Sequence, residues 1–166
     1  MTERTLVLMR HAKSDYPNGV ADHDRPLAPR GVREAPLAGD WLRAHVPTID
    51  AVLCSTAART RETLSRTGLD APVTFAERLY DASAGTVIDE INGVDDGVNT
   101  LLVIGHEPAM SSVALGLADE SESNHDAAEG ISTKFPTSAI AVLRTRASWR
   151  DLGLDGAVLV TFHVPR

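Results

Sequence analysis

The hydrophobic positions fall into short dense runs separated by longer amphipathic stretches. Residues 5 to 9, TLVLM, form a β-prone run that stops at Arg10-His11, and so short and uniform a run predicts a buried strand. From Pro29 to Val46, Val32, Leu37, Trp41, Leu42 and Val46 recur mostly at helical spacings, predicting a helix whose middle is bent or weakened by Pro36 and Gly39. IDAVLCS, Ile49 to Ser55, reads as a second strand, and AARTRETLSRTG after it as a helix closed by Gly68 as a C-cap. Further strands are expected near Val73 to Phe75 and at TLLVIG, Thr100 to Gly105. Helices are expected near Gly85 to Asn92 and in the Ala- and Leu-rich segment after Pro108. Asp119 to Lys134 has no apolar period before Ile131 and reads as a solvated acidic loop. Ser138 to Leu143 and Ala157 to Val164 then read as two strands pairing around a long connection.

This repeated strand-to-helix order favours an α/β fold, a three-layer α/β/α sandwich with a mostly parallel central sheet. Functional residues in such folds collect beyond the carboxyl ends of the strands. His11, Ser55 and His106 are therefore expected on one rim. No internal repeat or second unit is visible, so residues 1–166 are read as a single domain.

Composition narrows the chemistry. The 166 residues are 43% hydrophobic and 23% charged, enough to close a core and too apolar for disorder. A net charge of -7 is the wrong sign for binding nucleic-acid phosphates, so phosphate chemistry here must rely on local positive charge. The single cysteine, Cys54, cannot form an internal disulfide, which fits a cytoplasmic compartment. The charged start Thr2-Glu3-Arg4 and the short run before Arg10 do not suit a signal segment or a membrane span.

Three widely separated segments end predicted strands with unusual residues: Arg10-His11, Ser55 to Thr60 with Arg59, and Gly105-His106-Glu107-Pro108. Two histidines and two arginines on one rim point to phosphoryl transfer. A neutral imidazole can approach a dianionic phosphorus with less repulsion than a carboxylate, while guanidinium groups bind the equatorial oxygens. No GxGxxG or GxxxxGK[ST] string follows any strand, which argues against a nucleotide-binding loop. A cysteine phosphatase would need Arg six residues after Cys54, where Thr60 stands, so Cys54 reads as a small core residue.

With these residues in view, LVLMRHAKS resembles the Arg-His-Gly signature of the histidine phosphatase superfamily, with Ala12 where Gly is commonest. DRPLAPRG (Asp24 to Gly31), STAARTRET (Ser55 to Thr63), RLYDAS (Arg78 to Ser83), VIGHEP (Val103 to Pro108) and KFPTSAIAVL (Lys134 to Leu143) are similar, in order and spacing, to the small bacterial phosphohistidine phosphatase branch. The resemblance runs nearly end to end. Its departures are Thr56 in place of the common Pro and Ala28 where Thr or Asn is usual.

The resemblance implies a phosphoglycerate mutase-like fold without a large lid insertion. It also implies a metal-independent reaction in which His11 attacks phosphorus, Arg10 and Arg59 hold the phosphoryl oxygens, and His106 is their electrostatic partner. Asp81 is the first candidate for the proton-transferring carboxylate, with Glu77 as its rival, while Glu107 is read as orienting its loop or capping the following helix. Lys13 and Ser14 stand close enough after His11 to touch a phosphate or its leaving group. Arg25 and Arg30 either attract a phosphoprotein or pair with Asp22, Asp24 or Glu34, and the remaining histidines, His23, His45, His125 and His163, read as structural or exposed. The expected substrate is a phosphorylated protein bearing phosphohistidine, with a small phosphomonoester as the alternative and a non-catalytic phosphate-binding module as the rival from another class. No cofactor, metal, nucleic acid or membrane is expected, and a monomer is anticipated.

Overall fold

A computed structural model describes residues 3–166; Met1 and Thr2, the start of the charged N-terminal stretch, lie outside them. One six-stranded sheet organises the fold, in the spatial order β3-β2-β4-β1-β5-β6. The strands are β1 Arg4–Arg10, β2 Ala51–Ser55, β3 Val73–Ala76, β4 Thr100–Gly105, β5 Ile140–Thr145 and β6 Val158–His163. β1, β4, β2 and β3 run parallel, whereas β5 pairs antiparallel with β1 and β6 pairs antiparallel with β5 at the edge.

The strict alternation of strand side chains divides the interior into two layers. Val7, Met9, Val52, Leu102 and Ile104 face Ala38 and Leu42 of α1 (Pro29–His45) and Leu64 of α2 (Ala58–Thr67). Leu6, Leu8, Leu101 and Val103 face the opposite layer, made by α3 (Ala84–Asn92), α4 (Ala109–Leu117) and α5 (His125–Thr133). The three-layer sandwich expected from the sequence is the fold observed.

Two expectations need correction. α1 is one continuous helix through Pro36, with no break in its middle. Gly39 serves a packing purpose: a Cβ there would collide with the Thr67 carbonyl, so its absence lets α1 and α2 approach backbone to backbone. Leu37, one of the apolar residues recurring at helical spacings, is 40% exposed.

The second correction concerns Asp119 to Lys134, which contains α5 rather than a solvated loop. Asn124 caps α5 by accepting a hydrogen bond from the Ala127 amide, and Ala127 and Ile131, one turn apart, are buried against the core. The preceding residue, Ser123, accepts a hydrogen bond from the Leu159 amide, tying the segment to β6. The Gly68 C-cap appears as expected, with φ 71°.

Because β4 is inserted between β1 and β2, the chain turns to opposite sides of the sheet at their carboxyl ends, leaving a crevice there. That crevice receives Arg10-His11, Ser55 and His106.

Candidate active site

The backbone around His11 is pinned from three sides. The His11 amide donates to the Gly105 carbonyl at 3.0 Å, the His11 carbonyl accepts from the Ser138 amide at 3.0 Å, and the Ala12 amide donates to Thr63 Oγ1 at 2.9 Å. Thr63 in turn donates to the Arg59 carbonyl at 2.7 Å. One α2 hydroxyl therefore fixes the end of β1 relative to the helical turn that carries Arg59.

His11 is 6% exposed, and its Nδ1 lies 2.7 Å from the Ala12 carbonyl. A carbonyl only accepts, so Nδ1 carries the proton and Nε2 carries the free lone pair. Burial, with the neighbouring His106 and the charges of Arg10 and Arg59, pushes the His11 pKa down to about 3. The ring is therefore neutral near pH 7, the state a nitrogen nucleophile needs.

The His106 ring sits 5.3 Å from that of His11, centroid to centroid. Its Nε2 is 2.9 Å from Ser55 Oγ, an atom that also accepts from the Ala57 amide at 3.3 Å. Assigning the serine proton to His106 Nε2 leaves the fewest groups unpaired, and it places the imidazole proton on Nδ1. Burial, followed by the Arg59 charge, pulls the His106 pKa down to about 4.

Arg10 donates to the Phe135 carbonyl at 3.0 Å, and burial lowers its pKa from the usual arginine value. Arg59, 7% exposed, donates through Nη1 to the Asp22 carbonyl at 2.8 Å and through Nη2 to Asp22 Oδ2 at 3.2 Å. Asp22 belongs to a short 3-10 turn, Asp22–Asp24, and also accepts from Arg25 and from the Tyr80 hydroxyl. Those hydrogen bonds, Tyr80's foremost, hold its carboxyl well below the usual carboxylate range.

Arg10, His11, Arg59 and His106 line one cavity of about 200 Å³, together with Lys13 and Ser14. Arg10 Nε, Arg59 Nε and His106 Nδ1, all on residues that line it, are buried without a hydrogen-bond partner among the described residues. Two guanidinium groups and two imidazoles lining one cavity supply the positive charge and the donors that an acceptor-rich anion needs. No group of three or more His, Cys, Asp or Glu among the described residues is arranged to hold a metal.

The structure does not bring Asp81 to this cavity. Asp81 is exposed, has φ 59° and follows the turn Glu77–Leu79, where Glu77 is exposed as well. Glu107 does line the cavity, but its carboxylate accepts from the Ser111 amide and hydroxyl, the helix-capping arrangement expected for it. Cys54 is fully buried with its thiol pushed up to about 12, chiefly by burial. Thr56, the departure from the commoner Pro, meets His23 Nε2 at 3.0 Å. Ala28 caps α1 without a side-chain hydrogen bond. Arg25 pairs with Asp22, and Arg30 with Glu34.

Sequence reasoning passed over Asp22 and Tyr80 as site residues. The string DHDR around Asp22 looks like ordinary surface charge, and only folding brings it to Arg59 across 37 residues.

The family model of the histidine phosphatase superfamily (branch 1) matches residues 6–92. The chain belongs to that superfamily. An uncharacterized protein of Mycobacterium tuberculosis is 64% identical over 158 residues, spanning 95% of this chain and all of its own length. Among solved structures, a Nakamurella multipartitia protein provisionally named phosphohistidine phosphatase SixA shares 42% identity and a TM-score of 0.91, covering 99% of this chain and 98% of its own. A second, from Agrobacterium tumefaciens and named in the same provisional way, shares 27% identity and a TM-score of 0.77, covering 98% of both chains. Within the histidine phosphatase superfamily this chain thus resembles the small bacterial SixA-like branch, and it is a histidine phosphatase. No helix of the described residues is long and apolar enough to cross a membrane.

Proposed function

We propose that this histidine phosphatase removes the phosphoryl group from phosphohistidine on a protein, through a phosphorylated His11 and without a metal ion. The observation that carries the reading is the single cavity that Arg10, Arg59 and His106 line together with a neutral His11. Arg10, Arg59 and His106 bind the equatorial phosphoryl oxygens while His11 Nε2 attacks. The bond from phosphorus to the leaving nitrogen breaks with its electron pair going to that nitrogen, and the ring, already protonated by solvent on its other nitrogen, departs as neutral imidazole. Water then attacks phospho-His11, returning Nε2 and releasing inorganic phosphate. Donors already in place stabilise charge as it develops, which is where rate acceleration arises.

Two features favour a nitrogen leaving group. Glu107 is committed to Ser111 and Asp22 to Arg59, Arg25 and Tyr80, so neither carboxylate stands free to protonate an alkoxide. Imidazole leaves with far less assistance from an acid. The proteins named phosphohistidine phosphatases among its structural relatives support the same reading. A protein-sized substrate is supported by the short connection between β1 and α1, residues 11–28, which supplies no large cover for the cavity. Metal independence is supported by Arg10 and Arg59, whose charges oppose a cation where the phosphoryl group would sit.

The test is phosphate release, with EDTA present, from a phosphohistidine protein and from p-nitrophenyl phosphate, comparing the parent with His11→Ala. Release from the phosphoprotein that requires His11 and survives EDTA is expected. Activity on the ester alone would replace this reading with a general phosphomonoesterase. Abolition by EDTA, or full turnover by His11→Ala, would overturn the mechanism.

A further inference from the structure

Tyr16 is 71% exposed and yet lines the phosphoryl cavity, where it is the one aromatic ring besides the two histidines. An exposed aromatic side chain is usually free to move, but this one rests 4.0 Å from the guanidinium carbon of Arg25. Arg25 is itself immobilised: Nε donates to Asp22 Oδ1 at 3.0 Å, and Nη1 donates to Ser14 Oγ and to the Asp15 carbonyl, both at 2.9 Å. The backbone beneath is a small antiparallel clasp, with Ser14 bridged to Leu27 and the Asp15 amide donating to the Pro26 carbonyl at 2.8 Å. One face of the Tyr16 ring is thus seated on a fixed cation and the rest is open to solvent. Ordering this ring in advance lowers the entropic cost of whatever packs on it.

The direction of the reaction says what that is. The nucleophile His11 is 6% exposed and Tyr16 71%, and in-line displacement sends the leaving group away from the nucleophile, toward the more exposed residues of the lining. The other lining side chains there, such as Lys13, Ser14 and Thr137, are polar and offer a ring nothing to stack against. Aromatic rings gain from offset or edge contacts with one another beyond the area they bury.

We propose that Tyr16, seated on Arg25, is the leaving-group subsite, and that it selects substrates in which phosphorus is bonded to a planar ring such as imidazole. This rests on the phosphatase reading above and adds the element that distinguishes a ring from a chain. Phosphohistidine presents such a ring, whereas phosphoramidate presents the same P–N bond to ammonia.

Tyr16→Ala and Tyr16→Phe, both at an exposed position, are compared with the parent on a phosphohistidine peptide, on p-nitrophenyl phosphate and on phosphoramidate. The readout is the ratio of kcat/KM for each ring substrate to that for phosphoramidate. Tyr16→Ala is expected to lower this ratio about three- to tenfold, mainly through KM, and Tyr16→Phe to preserve it. A fall with both ring substrates assigns the selectivity to the ring itself, and a fall with the peptide alone assigns it to imidazole. An unchanged ratio, or an equal fall in Tyr16→Phe, overturns the subsite while leaving the phosphatase reading intact. A parent protein inactive on all three substrates overturns the phosphatase reading and the subsite with it.

Discussion

Ser55 Oγ lies 2.9 Å from His106 Nε2, joining the ends of β2 and β4 across the mouth of the sheet. Ser55 has no exposed surface, and His106 is half-buried. The contact sets the tautomer of His106, and with it which ring nitrogen can donate into the phosphoryl cavity.

Ser55→Ala is accordingly expected to lower kcat about tenfold with a smaller change in KM, because His106 loses the partner that holds its proton on Nδ1. Steady-state kinetics on p-nitrophenyl phosphate check this. Unchanged kcat would show that the tautomer is set some other way.

Acid should weaken the fold through the two site histidines. Burial and the neighbouring arginines depress His11 to about 3 and His106 to about 4, against an ordinary 6.5. Between about pH 6.5 and those lower values the unfolded chain binds more protons than the folded one. Stability therefore rises with pH through that window and is lost on acidification, at about 1.4 kcal/mol per pH unit for the buried His11. Denaturant unfolding at pH 7, 6 and 5 measures the slope, which His11→Gln should reduce. A flat profile in the parent would contradict the assignment.

Cys54 plays no part in the chemistry proposed here. Its thiol is fully buried and pushed up to about 12, so it stays protonated near pH 7. Cys54→Ala should keep kcat/KM within about twofold, and iodoacetamide should leave the native enzyme active. Inactivation by alkylation of the folded protein would reverse this conclusion.

Two glycines separate stability from function. A Cβ on Gly39 would strike the Thr67 carbonyl, far from His11 in the layer between α1 and α2, whereas a Cβ on Gly31 would strike the Lys13 carbonyl, two residues beyond His11. Gly39→Ala should destabilise by about 1–3 kcal/mol with kcat retained in the folded fraction. Gly31→Ala should lower both. Thermal melts paired with activity per folded molecule distinguish the two.

Local pattern was sufficient wherever an element was set by its own residues. TLVLM and TLLVIG are short, apolar and β-prone, which reads as buried strands and is what they form, and Gly68 ends α2 because it accepts φ 71° without strain. α5 was illegible because its apolar stripe is little more than Ala127 and Ile131. A nine-residue helix with so narrow a stripe is held by its Asn124 cap and its packing on β6, neither of which can be seen along the chain.

The amino-acid sequence by itself determined the chemical inventory: two histidines and two arginines, three of them at strand ends and Arg59 in the first turn of the helix after β2, in the order that marks the family. It could also predict that Arg10, His11, Arg59 and His106 would share a rim, because parallel strands deliver their carboxyl ends to one edge. Only the tertiary structure decided which carboxylate stands with them. Asp81 is turned to solvent, while Asp22, in what looked like surface charge, holds Arg59 and Arg25 together. The difference is physical. Strand ends follow from local patterning, whereas a hydrogen bond spanning 37 residues exists only once the loop, the helix and the sheet have been packed into place.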